Sequence, residues 1–311
     1  GDSRRRDEAD YRSATRDVQR ILEGFKREGV SAVVLDLRRN GGGFLDEAVN
    51  LTGLFIDQGP VVQVGDQTRG TETKNDDQAG MAWDGPLVVV TSKLSASASE
   101  ILAGAVQDYR RGLVIGDETT HGKGTVQTIV EVCKLVNRFR APDLGVLKIT
   151  VQQFFRPNGD STQMDGVRAD VLLPSVTNIM DIGEADLDYA IGASHIEPSR
   201  FMPTNMVSAP IIAKLQQLSK ERTAESEGFD KLLKRIEAYQ NRKERKSVTL
   251  NEKKFFEEGE ELNGDNDEEE RLGEEMRDKK KIKRAYSRDE VLAITRDYVT
   301  ALHESNIARV N

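Results

Sequence analysis

The sequence predicts an α/β fold over its first 180 residues and a mainly helical part after them. Two apolar runs of strand length, residues 32–37 (AVVLDL) and 87–91 (LVVVT), are each followed by a turn of small residues and then by apolar residues at helical spacing. This alternation is typical of α/β layer structures, in which helices pack on a sheet. From about Met180 onward, no segment has the spacing of a strand.

Each element of the first half is predicted from its own hydrophobic spacing. In the first helix, Ala14, Val18 and Leu22 recur at helical spacing, and Gly29 follows as a stop. The predicted elements in chain order are a helix at residues 11–28, a strand at 32–37, a helix through 48–55, a strand at 60–64, a polar loop or hairpin at 65–84, a strand at 87–91, a helix at 95–111 and strands at 113–116, 125–132, 146–155 and 169–173.

The second half is more polar and contains three predicted amphipathic helices. Two of them lie around residues 211–218 and 229–236, and the last begins at Ser287, with Glu290 placed for a capping box. Residues 257–283 are first acidic and then basic, which indicates a solvated or partly disordered connector. We therefore expect two domains, a core at residues 1–180 and a helical, charge-rich extension at residues 181–311.

Composition excludes two classes of protein. The net charge of −8 argues against a nucleic-acid-binding protein that relies on a basic face. No apolar run reaches the roughly 18 residues that a membrane-spanning helix needs, so no membrane span is expected. The chain begins at Gly1 without an initiator Met, which indicates a processed chain or a fragment whose signal peptide would lie upstream.

The single cysteine, Cys133, is a poor candidate for a nucleophile. It lies in an apolar-to-basic stretch with no histidine nearby in the sequence, whereas reactive thiols need a partner that lowers their pKa. One cysteine cannot form an internal disulfide either, so cysteine usage leaves the cellular compartment open.

A stronger candidate nucleophile lies in the segment SASASEI, residues 95–101, between a buried strand and a helix. A serine at such a junction, as Ser97 is, would sit near the positive end of the helix dipole. The N–H of the next residue could then face a developing oxyanion. Serine and alanine are also good helix-capping and packing residues, so this segment alone is more typical of a structural turn than of a catalytic one.

A hydroxyl nucleophile needs a base, and the loop at residues 119–124 offers two. His121 could pair with Ser97 as in a histidine-dependent triad. Lys123, flanked by two glycines, could instead act as the base if burial lowered its pKa from the usual value of about 10.4. Gln127, four residues further on, could orient the neutral amine through its amide oxygen.

The run Asn40-Gly41-Gly42-Gly43 follows a predicted strand and could supply a second oxyanion donor. Backbone amides without Cβ atoms can approach a substrate carbonyl closely. The run could also be a simple turn into a helix. It is not typical of a phosphate-binding loop, because the Gly-Lys-Ser/Thr ending is missing.

Together these segments resemble the C-terminal processing peptidases, also called tail-specific proteases. The resemblance covers roughly residues 11–175, with the motifs in the same order and at near-family spacing. It is carried by DLRRNGGG (36–43), SASASEI (95–101), QDY (107–109), GKGTVQ (122–127) and TVQQFFRPNGDSTQMDGV (150–167). The resemblance implies a fold related to the crotonases and the Clp protease subunit, and a serine–lysine dyad that often has a glutamine as its third member.

The resemblance also implies a role for individual residues of this sequence. Ser97 would be the nucleophile, Lys123 the base and Gln127 the residue that orients it. The oxyanion hole would draw on Gly41 or Gly42 and on Ala98, and Asp108 would be a supporting residue, which a salt bridge to Arg110 or Arg111 could also explain. His121 stands where an apolar or aromatic residue is more usual, in a loop one residue longer, and we interpret it as a loop variant.

The resemblance implies an endopeptidase that needs no metal or organic cofactor. Its expected substrates are proteins with apolar, poorly structured C-termini, which would be cut in the periplasm. An adaptor protein is a further candidate partner. Family members normally carry a PDZ module that captures the substrate's C-terminus, and nothing before Tyr11 could encode one. The part after Met180 is similar, more weakly, to the helical extension of the larger, periplasmic members.

Two other classes of function stay open. A crotonase-like acyl-CoA enzyme would use the same paired amides on a thioester, but it predicts a carboxylate base and leaves Lys123 and Gln127 without a role. A non-catalytic binding module could use the same fold, and this chain could fold yet cleave nothing unaided.

Overall fold

The elements follow one another along the chain largely as the hydrophobic spacing predicts. The computed structural model describes residues 12–66, 70–133, 144–245, 247, 250–253 and 285–310. In chain order the elements are α1 (Ala14–Glu28), β1 (Val33–Asp36), α2 (Leu45–Gly53), β2 (Gly59–Asp66), β3 (Gly70–Asp76), β4 (Leu87–Thr91), α3 (Ala98–Asp108), β5 (Leu113–Gly116), β6 (Thr125–Glu131), β7 (Val146–Phe155), β8 (Val171–Leu172), α4 (Ala209–Ala224), α5 (Glu227–Glu244) and α6 (Tyr286–Val310).

A parallel four-stranded sheet with the strand order β1–β4–β5–β8 lies at the centre of the fold. Every residue of β4 and β5 is buried. Strands that are covered on both faces have near-continuous apolar sequences, which explains why LVVVT and LVIG do not alternate. The α/β class expected from the sequence is confirmed.

The two faces of this sheet are covered by different parts of the chain. Helices α1 and α3 contribute Leu22, Leu102 and Val106 to the core on one face. On the other face, residues of β4 and β5 form one apolar cluster with buried side chains of α4 and α6, among them Leu215 and Ile294. The C-terminal helices therefore complete the core of the sheet.

A second, antiparallel sheet has the strand order β3–β2–β7–β6. Strands β2 and β3 pair from Gly59↔Asp76 to Asp66↔Gly70, so of the predicted loop or hairpin at residues 65–84 the part up to Asp76 belongs to a hairpin and residues 77–84 form a loop. Strand β6 begins two residues after Lys123 and, among the described strands, pairs with β7 alone. The chain thus enters the second sheet directly after the loop that carries the candidate base, Lys123.

The helical part differs from its prediction at one helix start. Ser287 lies inside α6, and the carboxylate of Glu290 accepts hydrogen bonds from Arg222 on α4 instead of capping its own helix. The capping-box prediction was therefore wrong, because a tertiary ion pair uses the glutamate. The predicted connector at residues 257–283 lies outside the described residues. Within the described part of the chain, no helix is long and apolar enough to cross a membrane.

Candidate active site

Ser97 lies at the junction between the turn after β4 and the first residue of α3. Its backbone has φ 58° and ψ −113°, a conformation that L-residues rarely adopt. Strained conformations of this kind concentrate at functional sites, where the surrounding structure holds them in place. The side chain is half-buried at the N-terminal end of the helix.

The neighbouring serines have structural roles that Ser97 lacks. The hydroxyls of Ser92, Ser95 and Ser99 donate to the carbonyl oxygens of Arg38, Leu37 and Asn40, respectively. These bonds fasten the turn after β4 to the turn after β1. Among the described contacts, Ser97 Oγ forms no such bond to a carbonyl oxygen of the turn after β1. Ser97 is therefore the serine of this segment whose hydroxyl does not join the two turns, and its role as nucleophile stays a prediction.

A buried glutamate, Glu100, joins the serine turn to the lysine loop. Its Oε2 accepts hydrogen bonds from the main-chain N–H of Ser97 at 2.6 Å and of Lys123 at 3.0 Å. Its Oε1 accepts from the Thr120 hydroxyl at 2.6 Å and from the Gly122 N–H at 2.7 Å. Two turns that are 22 or more residues apart in sequence are thus held on one side chain.

Glu100 is fully buried, with no exposed surface. Burial raises its pKa to about 7, and the four hydrogen bonds that the carboxylate accepts oppose that rise. Sequence analysis missed this residue. The available signal was its position three residues after Ser97, the serine-to-glutamate spacing of a helix capping box, which explains only the bond to the Ser97 N–H.

Lys123 is half-buried, and its Nζ lies 3.4 Å from Gln127 Oε1. The structure thus brings the lysine and the glutamine of the sequence motif together, at a distance near the long limit for a hydrogen bond. No described interaction joins Lys123 Nζ to Ser97 Oγ. Catalytic hydrogen bonds are often long before substrate binds, so the serine–lysine dyad stays a prediction.

The glycine run packs against the serine turn. Gly42 has φ 104°, and a Cβ atom there would lie 2.7 Å from the Ala96 carbonyl oxygen and 2.9 Å from Ser97 Cβ. The carbonyl of Asn40 accepts from the Ala96 N–H at 3.2 Å. The absence of a side chain at Gly42 is therefore what allows the two turns to touch.

The candidate oxyanion donors differ in their present partners. The Gly42 N–H donates to the side-chain oxygen of Asn40 at 3.0 Å. The N–H groups of Gly41 and Ala98 donate to no other described residue. An oxyanion could bind Ala98 without disturbing the protein, whereas binding to Gly42 would first require the Asn40 side chain to move.

Asp108 lies at the last residue of α3, and its partner differs from the one expected. Its carboxylate pairs with Arg156 and accepts the Asn158 N–H at 3.2 Å, so the expectation of a salt bridge to Arg110 or Arg111 was wrong. The Arg111 guanidinium instead donates to the carbonyls of Phe55 and Trp83, at 2.7 and 2.6 Å. Burial raises the pKa of Asp108, and the charge of Arg156 opposes that rise.

His121 has a structural environment. Its main-chain N–H donates to the Ser95 carbonyl at 3.0 Å, and its ring Nδ1 is buried without a hydrogen-bond partner among the described residues. Burial lowers the pKa of the imidazole. No described hydrogen bond joins it to Ser97. Cys133 is half-buried just after β6, and no described cluster of side chains could hold a metal ion.

Ser97 is a strained serine at a strand–helix junction, and the N–H of Ala98 beside it donates to no described residue. The buried carboxylate of Glu100 binds both the serine turn and the lysine loop. These features define a candidate serine-nucleophile site. Residues 8–173 match the family model of peptidase family S41, and residues 177–301 match the C-terminal domain of tail specific protease. The chain belongs to peptidase family S41.

Curated relatives support this assignment. A tail-specific protease of Haemophilus influenzae is 39% identical over 245 residues, covering 78% of this chain and 35% of that protein. A carboxy-terminal-processing protease of Bartonella bacilliformis is 35% identical over 166 residues, covering 53% of this chain and 35% of that protein. The chain therefore spans about a third of the length of these relatives.

Among solved structures, a photosystem II D1 C-terminal processing protease is 34% identical, with a TM-score of 0.45. The match covers 51% of this chain and 39% of that one.

Proposed function

We propose that this chain carries the catalytic core of a serine endopeptidase that cleaves proteins in a C-terminus-dependent manner, with Ser97 as nucleophile and Lys123 as general base. The observation that supports this most is the shared carboxylate. Glu100 accepts hydrogen bonds from the N–H groups of both Ser97 and Lys123, at 2.6 and 3.0 Å. Such a tie fixes the nucleophile turn and the base loop relative to each other before substrate arrives.

The proposed reaction is acyl transfer. Neutral Lys123 takes the proton of Ser97 Oγ, which attacks the peptide carbonyl carbon and forms a tetrahedral oxyanion. The amides of Ala98 and of Gly41 or Gly42 bind that oxyanion. The protonated lysine then gives its proton to the leaving amine, and the acyl-enzyme forms. Water activated by the same lysine hydrolyses the ester and releases the acid.

The role proposed for Gln127 is to orient the lysine. Its amide oxygen lies 3.4 Å from Lys123 Nζ in the absence of substrate. A single acceptor on the amine would leave the nitrogen lone pair free to point at the serine hydroxyl. The role proposed for Asp108 is indirect, because its carboxylate binds Arg156 and the turn after β7.

The proposed substrates are proteins with apolar, poorly structured C-termini. The names of the Haemophilus and Bartonella relatives, tail-specific protease and carboxy-terminal-processing protease, support action at protein C-termini, and the apolar, poorly structured character rests on the family resemblance. We also propose a periplasmic location, an adaptor as a further partner, and a division into a catalytic core at residues 1–180 and a helical extension at residues 181–311.

The buried carboxylate weighs against the acyl-CoA alternative. Such an enzyme needs a carboxylate base at the site, and Glu100 already accepts two hydrogen bonds on each oxygen. Neither carboxylate oxygen of Glu100 therefore has a free position at which to accept a proton from a substrate. A thermal-shift titration with CoA should accordingly produce no stabilisation of the protein.

Single substitutions in the full protein test the proposal. Ser97→Ala and Lys123→Ala should each abolish cleavage of an unfolded reporter protein that ends in an apolar tail. Ser226→Ala, at the residue that precedes α5, and Lys214→Ala, on α4, change the same residue types in the C-terminal helical part and should cleave at the wild-type rate. If either site variant retained full proteolysis, the assigned mechanism would be wrong.

A further inference from the structure

The loop that carries Lys123 is held from its inner side by the protease core. The loop N–H groups donate to the Glu100 carboxylate. In addition, the Gly122 carbonyl accepts the Met164 N–H at 2.7 Å, and the Lys123 carbonyl accepts the Thr162 hydroxyl at 3.3 Å. These contacts fix the middle of the loop. The two flanking residues each have one main-chain bond to the core: the His121 N–H donates to the Ser95 carbonyl at 3.0 Å, and the Gly124 carbonyl accepts the Phe154 N–H at 2.9 Å.

The remaining main-chain groups of both flanking residues, the His121 carbonyl and the Gly124 N–H, are linked to Glu184, which lies in the part of the chain that matches the C-terminal domain of tail specific protease. The Glu184 N–H donates to the His121 carbonyl at 2.7 Å. Its side-chain Oε1 accepts from Gln163 Nε2 at 3.0 Å, and Gln163 Oε1 accepts the Gly124 N–H at 2.8 Å. Glu184 therefore contacts the loop on both sides of Lys123, directly at His121 and through the side-chain amide of Gln163 at Gly124.

The relay through Gln163 is buried and fully used. Gln163 has no exposed surface, and the Glu184 side chain is 15% exposed. Besides the two relay bonds, Gln163 Nε2 donates to the Ile191 carbonyl at 3.0 Å. A buried amide whose oxygen and nitrogen are both engaged has one allowed orientation, because any rotation would leave a polar group unpaired.

The packing around the relay leaves no room for the loop to shift. A Cβ atom at Gly124 would lie 2.6 Å from the Gln163 main-chain nitrogen and 2.7 Å from Ser161 Oγ. Glu184 is itself anchored in a short turn in which the Gly183 N–H donates to the Asp186 carboxylate at 2.8 Å. That carboxylate lies 3.6 Å from Lys93 Nζ, in the turn that leads to Ser97.

We propose that Glu184, acting through Gln163, is a positioning residue for the Lys123 base, so that the C-terminal part of the chain completes the active-site loop. The inference rests on the proposed function, because it assigns Glu184 a role through Lys123. Neither Glu184 nor Gln163 forms a hydrogen bond with Ser97 or with the Lys123 side chain among the described contacts. Their effect is on where the lysine lies, and a misplaced base slows the chemical step more than it weakens substrate binding.

The test uses two substitutions of Glu184 in the full protein. Glu184→Met keeps the volume and the main-chain bond to His121 but cannot accept from Gln163, whereas Glu184→Gln keeps an amide oxygen as acceptor. We expect Glu184→Met to lower kcat about tenfold, with KM within about twofold of wild type. Glu184→Gln should restore most of kcat. Circular dichroism should show each variant folded at the assay temperature.

Two further variants make the outcome decisive. Asp181→Ala removes a carboxylate three residues upstream that pairs with Lys243, and it should leave kcat unchanged. Because both residues act in one relay, adding Gln163→Met to Glu184→Met should not lower kcat further. A Glu184→Met protein with wild-type kcat would overturn the inference, as would a Glu184→Gln protein that loses as much as Glu184→Met. Failure of the proposed function is distinct, since Lys123→Ala would then retain activity.

Discussion

Ser97, the candidate nucleophile, has a backbone conformation that costs about 1–3 kcal/mol in an L-residue. The φ of 58° is held by the Glu100 carboxylate on its N–H and by the close contact with Gly42. Residues optimised for reactivity in this way reduce the stability of the protein that contains them.

Substitution of Ser97 should reveal the backbone strain. Ser97→Gly can adopt a positive φ without a Cβ penalty, whereas Ser97→Ala cannot. We expect the glycine variant to be the more stable of the two inactive proteins, by up to about 1 kcal/mol. Urea unfolding of both measures the difference, and an alanine variant of equal or greater stability would argue against strain at this position.

Gly42 should tolerate no side chain. In Gly42→Ala the new Cβ would face the Ala96 carbonyl oxygen at 2.7 Å, at a φ of 104°. We expect a loss of about 1–3 kcal/mol of stability and a large loss of proteolysis, measured by urea unfolding and by reporter cleavage. For stability, Gly41→Ala is the matched control, because a Cβ there has no atom within 4 Å. An equal loss of stability in the two variants would contradict the packing described.

Glu100 should make stability depend on pH. Its pKa is raised to about 7 in the folded protein from 4.5, so the folded state binds the proton more tightly than the unfolded state. Its contribution to stability is therefore fully present below about pH 4.5 and is lost as the pH rises through 7, by at most about 3 kcal/mol. The free energy of unfolding, measured with urea, should be lower at pH 8 than at pH 5 in the wild type, and the difference should be smaller in Glu100→Gln. Equal differences in the two proteins would refute the assignment to Glu100.

At the scale of the elements, α3 is fixed at both ends. Its N-terminal end is tied to the lysine loop by Glu100, and its C-terminal end is tied to the turn after β7 by Asp108 and Arg156. The side chains of this second pair are 4% and 13% exposed. The helix therefore connects the candidate site to the second sheet.

Breaking the Asp108–Arg156 pair should be costly. Asp108→Ala leaves the arginine charge buried without its partner, and we expect a loss of about 3–5 kcal/mol. Glu304→Ala removes the exposed partner of Lys214 and should cost at most about 1 kcal/mol. Chemical denaturation of both variants compares them. A loss at Asp108 no larger than that at Glu304 would show that the buried pair contributes little.

The elements also show what the sequence could predict. Strands β4 and β5 were predictable because burial on both faces leaves only apolar residues, and α3 because its apolar residues recur at helical spacing. Ser97, Lys123 and the glycine run could be picked out because each stands at a junction between elements. The partner of Asp108 could not, since Arg156 is 48 residues away and the nearer arginines satisfy the same local pattern. Glu100 was missed because its partners at 120–123 become neighbours only when the sheet forms.

At the scale of the whole molecule, the C-terminal helices and the sheet should unfold together. Ile294 of α6 is fully buried in the cluster that contains Val88 and Ile115 of the sheet. Ile294→Ala should cost about 2–5 kcal/mol. The fluorescence of Trp83, the single tryptophan, which packs on the opposite face of the sheet, should change at the same denaturant concentration as the helical circular dichroism.

Separate transitions of these two signals would show that the helical part is stable on its own. The expected coincidence follows from the shared core. It would also explain how a residue of the C-terminal part, Glu184, can be held rigidly enough to fix the loop of Lys123.

Labelling of Ser97 by a serine-reactive phosphonate tests the central claim most directly, because it reports nucleophile activation without requiring a substrate. The account predicts one phosphonate per chain, located on Ser97 by mass spectrometry, and a labelling rate that falls at least about a hundredfold in Lys123→Ala. Labelling of Ser97 at the same rate with and without Lys123, or labelling of a different serine, would contradict it.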